Sequence, residues 1–167
     1  VPNGVVKGNV GDFLDDVQPG QVVVIDNGGR LYCTVWGDIM TFVATRKGIA
    51  GTVIDGVCRD IPGIKENDYP IFTKSTYMVT GKDRVTVDYV NKPVAISGVQ
   101  VCPNDIILAD DTGAVCIPDA VAEKVADIAE SIEKTEQAII AEVKNGSTLK
   151  DARAKLGYHH LQTHEEA

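Results

Sequence analysis

Apolar and polar positions along this chain follow two different periods. Between residues 21 and 58 short continuous apolar runs dominate. QVVVID at 21–26 and GTVIDGV at 51–57 have strand length and no exposed polar face, as buried strands do. Before them, GDFLDDVQ at 11–18 reads as the end of a short helix closed by Pro19-Gly20. Asn27-Gly28-Gly29 marks a turn. LYCTVW at 31–36 reads as another strand. The segment 39–50, IMTFVATRKGIA, is apolar at 39, 40, 43 and 44, which predicts an amphipathic helix ending near Gly48. Strand, helix and strand in this order predict a crossover unit.

From residue 71 the pattern turns to strands: PIFTKS, RVTVDYV, PVAISGVQV and DIILADDTGAVCIP. The last carries Asp111-Thr112-Gly113 between two apolar runs, a hairpin signal. The C-terminal part is helical. Asp119 is placed to cap a helix running to about Asn145-Gly146, and Ser147 or Thr148 to cap a shorter one over LKDARAKLG. The apolar stripe Val121, Val125, Ile128, Ile132, Ile139, Val143 calls for an apolar residue at 135 or 136. Those positions hold Thr135 and Glu136. Glu136 is therefore either a solvated edge residue or a carboxylate aimed at something polar, in this subunit or across an interface. The order of elements predicts one mixed α/β domain over residues 1–167, strand-rich in the middle and helical at the end.

Composition narrows the functional classes. With a formal net charge of −8, the chain has no basic stripe for a phosphate backbone, which argues against nucleic acid as a ligand. No apolar run has the length of a membrane span, and the opening VPNGVVKGNVGD lacks the regions of a signal peptide. Cys33, Cys58, Cys102 and Cys116 lie in separate apolar stretches with no C-x-x-C. They read as small buried thiols, as expected of a cytoplasmic protein.

Two polar clusters stand at the ends of apolar elements. At Gly37-Asp38-Ile39-Met40 a strand hands over to a helix, and unpaired amides at a helix N-terminus suit a carboxylate or phosphate. Asp38 could equally be a plain N-cap. Arg59-Asp60 follows the run GTVIDGVC, where the carboxyl end of a crossover strand places ligand-binding groups. On an extended chain the two side chains point to opposite sides, so each can serve its own ligand: Arg a carboxylate, Asp a Mg²⁺ among waters. An ordinary loop salt bridge is the competing reading.

The spacing Asp38-x20-Arg59-Asp60, set in WGDIM and IDGVCRD, resembles the class II pyruvate aldolases that cleave 4-hydroxy-4-methyl-2-oxoglutarate and 4-carboxy-4-hydroxy-2-oxoadipate. These share a fold with the regulator of ribonuclease activity A. The resemblance continues through YPIFTKS, KPVAISGVQVCPNDIILADDTGAVCIP and the C-terminal helix. It implies a swivelling-type β/β/α sandwich with C-terminal helices, a homotrimer or hexamer, and a segment preceding the first residue here. It implies a metal-dependent lyase that forms pyruvate from 4-hydroxy-2-oxo acids and decarboxylates oxaloacetate.

By the same resemblance, the amides of Gly37, Asp38, Ile39 and Met40 and the Arg59 side chain hold the pyruvyl group. Asp60 binds Mg²⁺ or Mn²⁺ largely through waters, Asp38 orients a water acting as base, and Glu136 reaches a neighbouring subunit's metal shell. The alternative is a non-catalytic regulator binding a ribonuclease or another protein. Asp60 discriminates, because the aldolase pattern requires a carboxylate there and the regulator lacks it. No G-x-G-x-G loop supports the methyltransferase label that this family sometimes carries.

Overall fold

A computed structural model describes residues 10–161. The opening residues and the start of the KGNVGDF loop lie outside the described residues. The chain divides into two compact units, Val1–Pro118 and Asp119–Ala167.

The first unit is built on a parallel three-stranded sheet in the order β1 (Val22–Asp26), β2 (Gly51–Cys58), β3 (Ile71–Thr76). Two crossovers make it: α1 (Asp38–Lys47) joins β1 to β2, and α2 (Ile61–Glu66) joins β2 to β3. β1 and β2 run in register from Val22↔Gly51 to Asp26↔Asp55, and the β2–β3 ladder shifts between Ile54 and Val57. As the central strand, β2 is buried along nearly its whole length, which explains its unbroken apolar run. Trp36, Ala44, Ile54, Ile64 and Tyr69 form the heart of the core, with Trp36 stacked on Tyr69 at 5.8 Å. α1 stops at Gly48, whose φ of 69° places it in the left-handed region and turns its N–H back onto the Ala44 and Thr45 carbonyls.

The expected helix face is shifted. Ala44 is buried and Met40 and Val43 pack against the core, but Ile39 is 74% exposed and Thr41 takes the fully buried place. The hydroxyl of Thr41 is satisfied inside the protein, so a polar residue is tolerated there.

Three strand expectations need correction. LYCTVW is not a strand: only Thr34 bridges, to Val57 and Thr80. Thr34 N–H donates to the Val79 carbonyl, Trp36 O accepts from Arg59 N–H, and Cys33 O accepts from the Asn27 side chain. RVTVDYV begins in a turn, because the amides of Arg84 and Val85 both donate to the Gly81 carbonyl, and only Val85 of the run is buried. PVAISGVQV is two strands, β4 (Val94–Ile96) and β5 (Val99–Val101), reversed at Ser97-Gly98 with φ of 50° and 87°. Two consecutive left-handed residues are the geometry of a tight hairpin. The hairpin over 106–117 is as expected: β6 (Ile106–Asp110) pairs with β7 (Gly113–Ile117).

In the second unit Asp119 opens a 3-10 turn, Asp119–Val121, instead of capping the long helix α3 (Ala122–Lys144), whose cap position is Val121. Thr148 does cap α4 (Leu149–Lys155), accepting from the Asp151 amide. Lys155 reaches Glu142 at 2.8 Å, tying α4 to α3. Along the stripe Ile139 is buried, Glu136 is half-buried, and Val121, Val125, Ile128 and Val143 are exposed. Of the cysteines, Cys33 and Cys58 are buried, whereas Cys102 and Cys116 are only half-buried. Burial pushes the Cys58 thiol above its ordinary range. The fold is mixed α/β, with a parallel sheet and a long C-terminal helix. No helix among the described residues is long and apolar enough to cross a membrane.

Candidate active site

Both polar clusters meet at the carboxyl end of β2. The strand finishes at Cys58, Arg59 and Asp60 follow, and α2 starts at Ile61 with Pro62 in its first turn. Asp60 holds a left-handed backbone, φ 61° and ψ 43°, a region that Asp tolerates better than most residues. It sits at the N-cap position of α2 yet makes no side-chain cap there. Its carboxylate instead reaches the other helix: Oδ2 accepts from the Asp38 N–H at 3.1 Å, across 22 residues of chain.

This geometry differs from the expectation that the Arg59 and Asp60 side chains point to opposite sides, and it shows the ion pair of the competing reading. An extended chain would alternate them, but the left-handed turn at Asp60 swings its carboxylate back. Arg59 Nη1 then lies 3.4 Å from both carboxylate oxygens. The two side chains are 38% and 29% exposed, so the pair is open to solvent and to an incoming ligand.

Gly37 makes the approach possible. Its backbone is extended, φ −152° and ψ −167°, so conformation does not demand glycine here. Space does: a Cβ would stand 2.6 Å from Asp60 Oδ2 and 3.3 Å from Arg59 Nε. Gly37 is the N-cap of α1, and Asp38 is the first helical residue. The first bond into the helix is Thr41 N–H to the Gly37 carbonyl, which leaves the amides of residues 38 to 40 outside the ladder. Asp38 Oδ1 accepts from the Ile39 amide at 2.8 Å. The positive end of α1 therefore already holds two carboxylate groups of the chain's own.

A cavity of about 320 Å³ opens at this point. Gly37, Asp38, Ile39, Met40 and Arg59 line it, so all five substrate-side residues expected from the sequence share one wall, with Asp60 behind Asp38 and Arg59. Asp12, Thr80 and Lys82 also line it and were not foreseen. The TGKD stretch at 80–83 signals a turn, but its placement depends on a contact far along the chain. At Gly81 a Cβ would collide with the Thr34 carbonyl, and this close approach fastens the loop beside the site. Glu136 lies half-buried in α3 of the second unit.

The donor set bears on a metal. Among the described residues no three His, Cys, Asp or Glu side chains form a cage. What the site offers is hard oxygen: the partly exposed Asp60 carboxylate, with Asp38 beside it. One or two carboxylates completed by waters and substrate is the way Mg²⁺ is commonly held, so these residues fit such an ion and do not fit a zinc cage.

A second polar cluster on β2 is structural. Asp55 is buried, pairs with Lys74 Nζ at 2.5 Å and accepts from Ser97 Oγ at 3.2 Å. Burial raises its carboxyl, but the hydrogen bonds from Lys74 and Ser97 outweigh it and hold the group below its ordinary value. It does not line the cavity.

Known proteins are similar to this chain in sequence and fold. Protein DlpA of Legionella pneumophila is 41% identical over 150 residues, covering 90% of this chain and 24% of that protein. A 4-hydroxy-4-methyl-2-oxoglutarate aldolase of Thermus thermophilus is 31% identical over 110 residues, 64% of each chain. The crystal structure of an uncharacterized protein from Pseudomonas syringae pv. tomato superposes with a TM-score of 0.83 at 42% identity, covering 85% of this chain and 71% of that one. The chain spans 24%, 52% and 59% of the length of DlpA and two further curated relatives. The model of the family described as "RraA-like: Aldolase/RraA" matches residues 4–116, which contain both polar clusters and the cavity wall, and the chain belongs to that family.

Proposed function

We propose that this chain carries the site of a divalent-metal-dependent lyase that forms pyruvate from 4-hydroxy-2-oxo acids and decarboxylates oxaloacetate. The observation that carries the reading is the convergence at Gly37 of an α1 amide, the Arg59 guanidinium and the Asp60 carboxylate. The family named above, and a relative named for the aldolase reaction, support it. On this reading the scaffold is the swivelling-type β/β/α sandwich, assembled as a homotrimer or hexamer.

The substrate carboxylate would lie against the amides of residues 38 to 40, and Arg59 would point its fork at the 2-keto oxygen. Asp60 would hold Mg²⁺ or Mn²⁺, whose positive charge favours the enolate form of the product, and Glu136 of a neighbouring subunit would complete the shell. Asp38, exposed on the cavity wall, takes the C4 hydroxyl proton through a water. The electron pair of the C3–C4 bond then moves to C2–C3, giving the pyruvate enolate and a carbonyl product. With oxaloacetate the same bond breaks to release carbon dioxide. Arg59 meets the negative charge that develops on the enolate oxygen, and one such fixed donor is worth on the order of 10²–10³ in rate.

The test is oxaloacetate with Mg²⁺ or Mn²⁺, pyruvate being followed by a coupled assay, beside Arg59→Ala and Asp60→Ala. Both variants are expected to lose at least about a hundredfold in kcat/KM. Activity that survives either substitution refutes the assignment. A folded, longer protein inactive on every 4-hydroxy-2-oxo acid favours the regulator.

A further inference from the structure

Trp36 immediately precedes the first cluster in sequence and is linked by hydrogen bonds to both, directly to Arg59 and through Thr41 to Gly37. Its carbonyl accepts from the Arg59 N–H at 3.1 Å. Its indole N–H donates to Thr41 Oγ1 at 2.9 Å, and that hydroxyl donates to the Gly37 carbonyl at 3.0 Å. The ring stacks parallel on Tyr69, at 5.8 Å and 6°, and the Tyr69 hydroxyl pairs with Thr52 Oγ1 at 2.8 Å. Trp36 and Thr41 are 2% and 0% exposed.

These bonds act on two successive peptide planes. A peptide unit is rigid, so fixing its carbonyl fixes the direction of the N–H at its other end. Gly37 O and Asp38 N–H belong to one such unit, and Trp36 O and Gly37 N–H to the one before. Thr41 therefore aims the Asp38 amide, and the Arg59 amide aims the plane in front of it. Helix formation alone does not require this arrangement, because the Gly37 carbonyl already receives the Thr41 backbone N–H at 3.0 Å. The hydroxyl adds a second, sideways bond, and the indole holds the hydroxyl in the rotamer that makes it.

We infer that Trp36 and Thr41 are positioning residues: a buried strut that locks the peptide planes on either side of Gly37 and so sets the alignment of the Asp38 amide with Arg59. The geometry stands by itself, and only the choice of ligand rests on the lyase reading. Neither side chain touches substrate. The strut turns a sequence spacing of twenty residues into a fixed distance between an amide and a guanidinium.

Two measurements test it. Backbone amide exchange is followed by NMR in the wild type, Thr41→Val, Thr41→Ser and Trp36→Phe. Thr41→Val and Trp36→Phe should speed exchange at Asp38 by roughly tenfold, the equivalent of one hydrogen bond, while amides of β1 keep their protection. Thr41→Ser, which keeps the hydroxyl, should restore the wild-type rate. In parallel, oxalate, a planar mimic of the pyruvate enolate, is titrated with Mg²⁺ by calorimetry, and Thr41→Val should weaken it about tenfold where Thr41→Ser does not. In the wild type, Trp36 fluorescence should respond to the same titration, since this is the chain's one tryptophan and it lines the cavity.

Failure of the wild type to bind oxalate or pyruvate sinks the lyase reading and leaves the exchange data to decide the strut. Unchanged Asp38 exchange in both Thr41→Val and Trp36→Phe overturns the strut. So does a uniform loss of protection that includes β1, which would mark a merely structural role. Should Thr41→Val not fold, Trp36→Phe and Thr41→Ser carry the same comparison.

Discussion

Gly37→Ala separates the site from the fold more cleanly than any other single change. The Ala Cβ would enter 2.6 Å from Asp60 Oδ2 and 3.3 Å from Arg59 Nε, and the extended backbone at this position accepts alanine without strain. The carboxylate must retreat by roughly 1 Å to reach an ordinary contact, which breaks its 3.1 Å bond to the Asp38 amide. A hydrogen bond with a charged acceptor contributes about 1.5–3 kcal/mol, and partial exposure of Asp60 puts this one at or below the low end, near 1 kcal/mol. Against that, replacing glycine restricts the unfolded chain and returns about 0.4–1 kcal/mol. The net stability change is therefore within about 1 kcal/mol, or a few degrees in Tm.

Activity responds differently. Displacement of a reacting group by about 1 Å can cost on the order of a hundredfold in rate. Gly37→Ala is thus expected to melt within a few degrees of the wild type while kcat/KM for oxaloacetate falls about a hundredfold. The assay is thermal melting beside pyruvate release. Near-normal turnover would show that the contact between Gly37 and Asp60 does not shape the site. A large fall in Tm accompanying the lost activity would show that the glycine serves the fold.

Lys74→Met leaves Asp55 buried without its cation; because Lys74 is itself 41% exposed, the cost is expected at about 2 kcal/mol in urea unfolding at neutral pH, below the range for a fully buried pair. The folded Asp55 carboxyl lies below its ordinary value, so its contribution is complete above about pH 4 and is lost as pH falls through the lowered folded value. The stability gap between wild type and Lys74→Met should accordingly close in acid, and a gap that widened there would contradict the assignment. Thr148→Ala removes the acceptor for the Asp151 amide and should cost about 1 kcal/mol, read as lost helical signal in thermal melts followed by circular dichroism.

The parallel sheet was legible because β2 is a central strand. Covered on both faces and both edges, it needs an unbroken apolar run, and GTVIDGVC supplies one. LYCTVW and RVTVDYV are as apolar but are not strands. Cys33, Val35, Trp36 and Val85 are buried all the same, so their apolarity records burial without recording a ladder. LYCTVW bonds to distant groups that no local pattern announces, the Val79 carbonyl and the Arg59 amide, whereas RVTVDYV is diverted at its start by a local turn onto the Gly81 carbonyl. The α1 face differs for a related reason: Thr41 is not among the apolar positions 39, 40, 43 and 44, and its fully buried place is explained by the Trp36 indole and the Gly37 carbonyl around it.

At the site, the spacing of Asp38 from Arg59 and Asp60 singled out residues that meet beside one cavity, and the left-handed backbone at Asp60 was out of reach. Asp68, Asp83, Asn91, Ser97 and Asn104 also have positive φ, but each lies in a turn or bend, where that conformation reverses the chain. Asp60 joins a buried strand directly to a helix, and a left-handed non-glycine residue carries strain of order 1–3 kcal/mol. Glycine would relieve the strain and still make the turn. It could not supply the oxygen that the Asp38 amide and Arg59 both engage. The carboxylate is therefore what the strained position holds in place, and its two partners offset the cost. Those partners, an amide at the positive end of a helix and a guanidinium fork, are also the groups suited to an incoming carboxylate. On the proposed reading, Asp60 and the carboxylate of a 2-oxo acid would draw on the same donors. This makes Gly37, which lets all three groups meet, the residue on which the geometry of the site depends.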